Sequence, residues 1–368
     1  MKLLRKIGLG LAGLLVVLVL ALGLMLGYEK ECGPPPEQAG GSGYMKSAQY
    51  RCYGSPEVLE LTEVPRPAPG PGQLLVRVHA AGVNPLDWHF MRGKPYLMRL
   101  MSGIGAPSDT RLGVDFAGTV EAVGAGVTKF APGDEVFGGA TGAYSEYVLV
   151  GEDRAVARKP PNMSFEQAGS VAVAGITALQ GLRDKGRLQA GDKVLVNGAS
   201  GGVGSFAVQI AKAYGAEVTG VSSARNHDLL RSLGADHVID YRTEDFTESG
   251  QRYDLILDMV SNHSLLALRK VLQPDGVVVR VGDADTGDWV GVLAVPLENL
   301  VVAPFIGPDA VGFIARLDQA DLEELARLMA AGELTPVIDR SYPLEQVADA
   351  IRYSEEGRAR GKIVIEVD

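Results

Sequence analysis

Cysteine is almost missing from this chain: Cys32 and Cys52 are the only two among 368 residues. So few thiols exclude a disulfide scaffold, and a chain of this length holds itself together with hydrophobic cores, enough for two domains of ordinary size. Basic residues are also in deficit, 35 Lys and Arg against 45 Asp and Glu, for a net charge of −10. A general nucleic-acid binder is excluded by that balance, because binding phosphates needs basic surface. Aromatic residues make up only 6%, yet 46% of the chain is hydrophobic and 22% charged, which excludes a disordered polymer.

What is present is unevenly spread. Residues 7–27 form a 21-residue run without a charge or a strongly polar side chain. At about 1.5 Å per residue this is long enough to cross a hydrocarbon layer of roughly 30 Å. Lys2, Arg5 and Lys6 precede the run, and Glu29, Lys30 and Glu31 follow it. A cleaved signal peptide is the competing reading, but it calls for a shorter apolar region and a small-x-small site that is not evident here. Residues 34–43, PPPEQAGGSG, read as a linker. Residues 1–44 are therefore expected to form a single transmembrane anchor and tether, with Met45 as an alternative start for a soluble form. The remaining body holds 31 basic and 42 acidic residues, a charge of −11, so the helix and not anionic lipid keeps it near a membrane.

From Met45 the pattern is β-rich. Val58 to Val64, Leu74 to Ala80, Gly118 to Val123 and Ala143 to Val150 read as strands separated by Gly and Pro turns, as in a compact barrel. Near Ser164 the period changes. Ser164 and Gln167 form a capping-box pattern ahead of an Ala-rich helix running to about Leu182. Strands at Lys193 to Asn197, Glu217 to Val221, Val238 to Asp240, Leu255 to Met259 and Val277 to Val281 then alternate with helices. Those helices are expected at Gly204 to Tyr214, Asn226 to Leu233 and His263 to Leu272, which implies a doubly wound parallel sheet. A last strand, Lys362 to Glu366, follows this unit and is free to return to the first one.

Lys193-Val-Leu-Val196 runs into Asn197-Gly-Ala-Ser-Gly-Gly-Val-Gly204 and then into a helix of small residues. Glycines in that context let the backbone approach a pyrophosphate at a helix N-terminus, so Ala199, Ser200, Gly201, Gly202, Val203 and Gly204 are candidate cofactor contacts. An NAD-preferring site places Asp or Glu at the end of the second strand to hold the ribose. Here stand Ser222, Ser223 and Arg225, which suit a 2′-phosphate and predict NADPH as the cofactor.

These residues, with Met45-Lys-Ser-Ala, Gly82-Val-Asn-Pro-Leu-Asp87, Leu112-Gly-Val-Asp-Phe-Ala-Gly118, Pro132-Gly-Asp-Glu-Val136, Leu233-Gly-Ala-Asp-His-Val-Ile-Asp240 and Arg360-Gly-Lys362, resemble the medium-chain dehydrogenase/reductase superfamily. The likeness is to its zinc-free quinone oxidoreductase branch and covers residues 45–368. It implies an α/β fold: a GroES-like β-barrel catalytic domain over 45–170 and 315–368, and a Rossmann doubly wound parallel sheet over 171–314. Zinc-dependent relatives carry Cys where Asn84 stands and a His-Glu pair where Val114 and Asp115 stand, and the five His here show no ligand spacing. No metal site is expected.

The resemblance makes Asn84 the residue that orients the substrate carbonyl or nicotinamide, with Asp87 holding its loop or ionising to shape the site. It places Thr177 near the nicotinamide, Tyr241 near the adenosine 2′-phosphate, and Arg358, Ala359 and Arg360 near the cofactor. Trp88, His89, Tyr96 and Tyr144 are candidate pocket residues, and the insert Leu97 to Met101 is a candidate for covering the cleft or touching lipid. The implied reaction is hydride transfer from NADPH to a quinone, an activated enone or another carbonyl. The alternatives are an NADPH-binding sensor with vestigial catalysis, or a zinc-free alcohol dehydrogenase or enoyl reductase. Such relatives commonly form homodimers, which no residue here establishes. The amino-terminal cations favour a body outside the cytoplasmic membrane, whereas NADPH supply favours the cytoplasmic side, which is given slight preference.

Overall fold

A computed structural model describes residues 17–33, 41, 43–281, 287–290 and 310–367. Strands β1 (Tyr44–Gln49) and β2 (Glu60–Pro65) form an antiparallel pair. The front half continues with β3 (Gln73–Val83), β4 (Asp115–Val123), β5 (Glu135–Gly139), β6 (Tyr147–Gly151) and β7 (Val156–Arg158). Leu74, Val76, Val78 and Ala81 of β3 face a core closed by Phe116, Val136 and Tyr144. The strand expected over Ala143 to Val150 begins only at Tyr147, so Tyr144 lies in the connection before it.

The second half contains β8 (Lys193–Asn197), β9 (Glu217–Ser222), β10 (His237–Asp240), β11 (Tyr253–Asp258), β12 (Leu272–Arg280) and β13 (Ala310–Gly312). They form one parallel sheet in the order β10-β9-β8-β11-β12-β13. Helices cover both faces, so Val194 to Val196 and Leu255 to Leu257 are buried without alternation. The order reverses between β8 and β11, and the crevice beyond their carboxyl ends is where open α/β sheets bind ligands. Strands β14 (Ile338–Pro343) and β15 (Lys362–Glu366) then leave this sheet: β15 pairs antiparallel with β3 and joins the seven-stranded sheet of the front half.

The capping box at Ser164 is present, with reciprocal bonds of 3.1 and 3.2 Å to Gln167. The helix it starts stops at Ala168, resumes over Ala172–Leu179 and ends in a wider turn over Gln180–Lys185. At the break Gly169 packs closely on β3, where a Cβ would stand 2.7 Å from the Ala80 carbonyl oxygen.

Residues 17–27 are helical, but residues 7–16 of the expected span, the cations before it and most of the linker lie outside the described residues. Among the described residues no helix is long and apolar enough to cross a membrane. What the structure does show is how the end of this helix is fastened. The fully buried Arg99 guanidinium donates to Leu26 O (2.9 Å), Tyr28 O (3.1 Å) and Gly93 O (2.8 Å), and pairs with Glu29 at 2.7 Å. The Lys30 N–H donates to Gly105 O at 2.8 Å. Cys32 and Cys52, too few for a scaffold, form a single disulfide with their Cα atoms 5.0 Å apart.

Candidate active site

The site starts where β3 ends. Asn84 precedes the helix Pro85–Arg92, whose first residue is a proline with φ already suited to helix and no N–H to leave orphaned. The Asn84 N–H donates to Asp87 Oδ2 at 2.8 Å, and the Tyr144 hydroxyl donates to the same oxygen at 2.7 Å. All three residues are buried. Tyr144, expected to line a pocket, is fully enclosed, so it supports Asp87 and offers no surface to a substrate.

Lys362, the first residue of β15, reaches the same place. Its buried Nζ donates to Val83 O (3.0 Å) and Asn84 Oδ1 (2.5 Å) and lies 3.5 Å from Asp115 Oδ2. An ammonium has donors only, so it draws the amide oxygen of Asn84 toward itself and turns Nδ2 away. That Nδ2 meets the Gly82 carbonyl at a long 3.4 Å and also faces the Asp115 carboxylate, which the amide helps to hold ionised. Asp115 is held on its other side by the Val173 N–H at 2.9 Å, and Thr177 Oγ1 donates to Val173 O at 2.6 Å. One connected set thus links Thr177, Asp115, Lys362, Asn84, Asp87 and Tyr144.

Burial pushes the Asp87 carboxyl up to about 7, against the opposing pull of the Tyr144 and Asn84 donors. Burial likewise raises Asp115, with Lys362 resisting, and burial beside Asp87 raises the Tyr144 phenol. A carboxyl raised on folding keeps a proton that the unfolded chain has lost, so its contribution is complete below about pH 4 and is lost as pH rises through about 7. Stability is therefore expected to fall across that window, by up to about 1.4 kcal/mol per pH unit from this group. Asp87→Asn is expected to flatten that part of the profile. Denaturant titrations from pH 4.5 to 8 measure it, and an unchanged slope in the variant would refute the assignment.

The phosphate loop follows β8 and opens the helix Gly202–Ala213. Gly198 has φ +86°, and a Cβ on Gly204 would overlap the Gly198 carbonyl and stand 2.7 Å from Ala199 Cα. Ala199 is buried beneath the loop. Ser200 O accepts the Gly361 N–H at 2.9 Å, and Ser200 Oγ accepts Asn226 Nδ2 at 2.8 Å. The buried Oδ1 of Asn226 has no partner, so a ligand donor has an acceptor to find there. Gly201, Gly202 and Val203 form the first turn, with a Cβ on Gly202 meeting only Lys362 Cδ (3.2 Å) and Gly361 O (3.6 Å).

At the end of β9, Ser222 and Ser223 are buried, and Ser222 O accepts the Tyr241 N–H at 3.3 Å. Arg225 donates to Arg358 O at 3.3 Å, and Ala359 and Arg360 lead from there to Gly361 at the phosphate loop. Arg225 and residues 358–361 thus adjoin the phosphate loop and the end of β9, while Thr177 belongs to the network around Asp115. The pocket candidates scatter instead. The Trp88 ring lies 3.8 Å from that of His89, whose Nδ1 is 2.9 Å from Lys94 O. Tyr96 packs on Arg99 and edge-on to Trp289 at 4.9 Å, beside the amino-terminal helix.

Sequence reasoning passed over Lys362 and Asp115 as functional residues and did not single out Asn226. A charged residue opening the otherwise apolar Lys362-Ile-Val-Ile strand was the available signal, because a buried ammonium must be paired.

Two family models match the chain: "Alcohol dehydrogenase GroES-like domain" over residues 70–161 and "Zinc-binding dehydrogenase" over residues 233–365. A chloroplast envelope quinone oxidoreductase homolog of Arabidopsis thaliana is 32% identical across 88% of this chain and 98% of that protein. A 2-methylene-furan-3-one reductase of Solanum lycopersicum is 34% identical across 87% of this chain and 79% of that protein. The solved quinone oxidoreductase of Coxiella burnetii superposes with a TM-score of 0.78 at 31% identity, over 88% of this chain and all of that one. Zinc, named in one of these descriptions, does not fit the residues here. The Lys362 ammonium sits between Asn84 and Asp115, where a dication would meet a fixed positive charge, and among the described residues no cluster of His, Cys, Asp or Glu suits a metal. The chain belongs to the medium-chain dehydrogenase/reductase superfamily and is an oxidoreductase that works with a nicotinamide cofactor.

Proposed function

We propose that this oxidoreductase uses NADPH to reduce a quinone or an activated enone, without a metal, while residues 7–27 hold it at a membrane. The observation that carries the reading is the dipeptide Gly361-Lys362. Its first residue bonds the phosphate loop at Ser200 and its second orients Asn84, which puts cofactor loop and substrate donor in one frame. The nicotinamide, when bound, supplies the hydride. Asn84 Nδ2 donates to the acceptor's carbonyl oxygen, where negative charge grows during reduction, and the Lys362–Asp115 pair holds that amide in place. Thr177 and Val173 brace Asp115 from the helix behind.

A purified full-length chain is expected to oxidise NADPH with added quinones or enones, unchanged by chelator. Tight NADPH binding without turnover would replace this reading with the sensor alternative. Chelator sensitivity would overturn the metal-free mechanism.

Cofactor choice rests on Ser222, Ser223, Arg225 and Tyr241 where an acidic residue is absent. Arg225→Ala is expected to lower the preference for NADPH over NADH by roughly one to two factors of ten, the contribution of a charge-assisted hydrogen bond. Equal kcat/KM with both cofactors in the native chain would refute the preference. The disulfide adds weight to the outward orientation that Lys2, Arg5 and Lys6 favour, since such bonds persist in oxidising compartments, while NADPH supply weighs for the cytoplasmic side. Protease access to the body in intact cells reads the side directly. Domain limits at 45–170 with 315–368, and 171–314, and a homodimer, remain part of this proposal.

A further inference from the structure

We propose that the catalytic half lies directly on the bilayer, seated on an apolar ridge of Leu100, Met101 and Ile104 beside the amino-terminal helix. The inference rests on the anchor reading above and goes beyond it, because an anchor on a tether leaves the body free in water.

The turn that carries the ridge is inside out. In the helix Arg99–Ser102, the arginine and serine are buried while Leu100 is 56% and Met101 89% exposed. A surface turn facing water has the opposite pattern, charge outward and leucine inward. Ile104, two residues on, is also exposed, at 48%. The buried Arg99 bonds the end of the amino-terminal helix through Leu26 O and Tyr28 O, and Tyr28 packs at Gly105, so ridge and helix exit are contiguous.

That continuity selects the occupant. Val17 to Leu20 are all bare on the described part of the helix, and the sequence continues toward the amino end without a charge as far as Ile7. A segment that apolar belongs in lipid, and the ridge lies at its exit. Trp289 and Tyr96 pack together there, Trp289 also meeting Gly23, four residues before Gly27. Four helical residues rise about 6 Å, which places Trp289 and the exposed Tyr28 at headgroup depth, where aromatic side chains gather. Among the nearby cations, Lys94 pairs with Asp288 and Arg92 with Glu355, Lys30 is flanked in sequence by Glu29 and Glu31, and the body is acidic. The seat is therefore apolar, and insensitive to salt and to anionic lipid.

The test uses the full chain in phosphatidylcholine vesicles whose acyl chains are brominated near the headgroups, with flotation and tryptophan emission as readouts. Met101→Trp in a Trp88→Phe, Trp289→Phe background is expected to lose roughly half its emission, as for a side chain about 5–10 Å into the boundary. Asp228→Trp in the same background, at a fully exposed position of the nucleotide-binding half, is expected to lose none. Trp88→Phe alone leaves Trp289 as the single indole, and it is expected to be quenched without any change to the ridge. Flotation with unquenched Met101→Trp and Trp289 would overturn the seat and leave the anchor standing. Failure to float overturns anchor and seat together. Emission that depends on protein density at fixed lipid, without bromine quenching, marks a second copy on the ridge and overturns the bilayer as occupant.

Discussion

Lys362→Met is expected to cost about 3–5 kcal/mol of folding stability near neutral pH, because it leaves the fully buried Asp115 without its counter-charge. The methionine keeps most of the stem's volume, so the loss is electrostatic and not a cavity. Asp115 has one escape, which is to take a proton, and burial already pushes it in that direction. The penalty should consequently grow with pH and shrink in acid. Asp115→Asn added to Lys362→Met removes the orphaned charge and is expected to recover much of the loss, a coupling that a double-mutant cycle in denaturant measures. Activity should not return with it, since Asn84 would still lack the donor that sets its amide. A stability change under about 1 kcal/mol for the single variant would show that the pair is not what holds this region.

Two glycines of the phosphate loop are expected to fail in different ways. Gly204→Ala drives a Cβ into the Gly198 carbonyl and against Ala199 Cα, both backbone, so the loop and the buried start of the helix have to part. Overpacking of that kind costs about 1–3 kcal/mol, and the cost falls on the protein before any cofactor arrives. Gly202→Ala meets no backbone atom nearer than the Gly361 oxygen, at an ordinary distance, and a Lys362 stem carbon at 3.2 Å that has to give by a few tenths of an ångström. It should leave the unliganded melting temperature nearly unchanged while weakening NADPH binding, because the new methyl stands where the pyrophosphate approaches the backbone. Thermal melts without cofactor and fluorescence titration with NADPH separate the two. Identical behaviour of both variants would mean that the loop does not approach a phosphate in the way its glycines suggest.

Elements with a strong local period were readable from the residues alone. The strands Lys193 to Asn197 and Lys362 to Glu366 occur where the apolar runs place them, and Gly234, with φ +100°, ends its helix in the left-handed region as expected. The interruption of the helix expected through Gly169 was not, and the close packing of that glycine on β3, some 90 residues earlier, leaves no trace in local periodicity. The same holds at the site. Asn84 and Asp87 stand three residues apart, and Asp87 was expected to hold the Asn84 loop, whereas the link from Asn84 to Lys362 spans 278 residues and exists only because β15 crosses back to β3. The glycine loop and the serine-arginine stretch stood out as candidates because each follows its strand directly. Tyr144 was misplaced because its strand starts later than its apolar run, which turns a lining residue into a buried support.

The fastening at Cys32 changes what residues 34–43 do mechanically. Tension from the amino-terminal helix reaches the body through Arg99, the Gly105 carbonyl and the Cys32–Cys52 bond, all ahead of that stretch. The disulfide ties the chain to the body at Cys52, ahead of that stretch. Lengthening it leaves the distance between body and helix where it was, and cutting it leaves the two joined. Reduction of the disulfide would remove the covalent fastening and leave the Arg99 and Gly105 hydrogen bonds as the remaining ones.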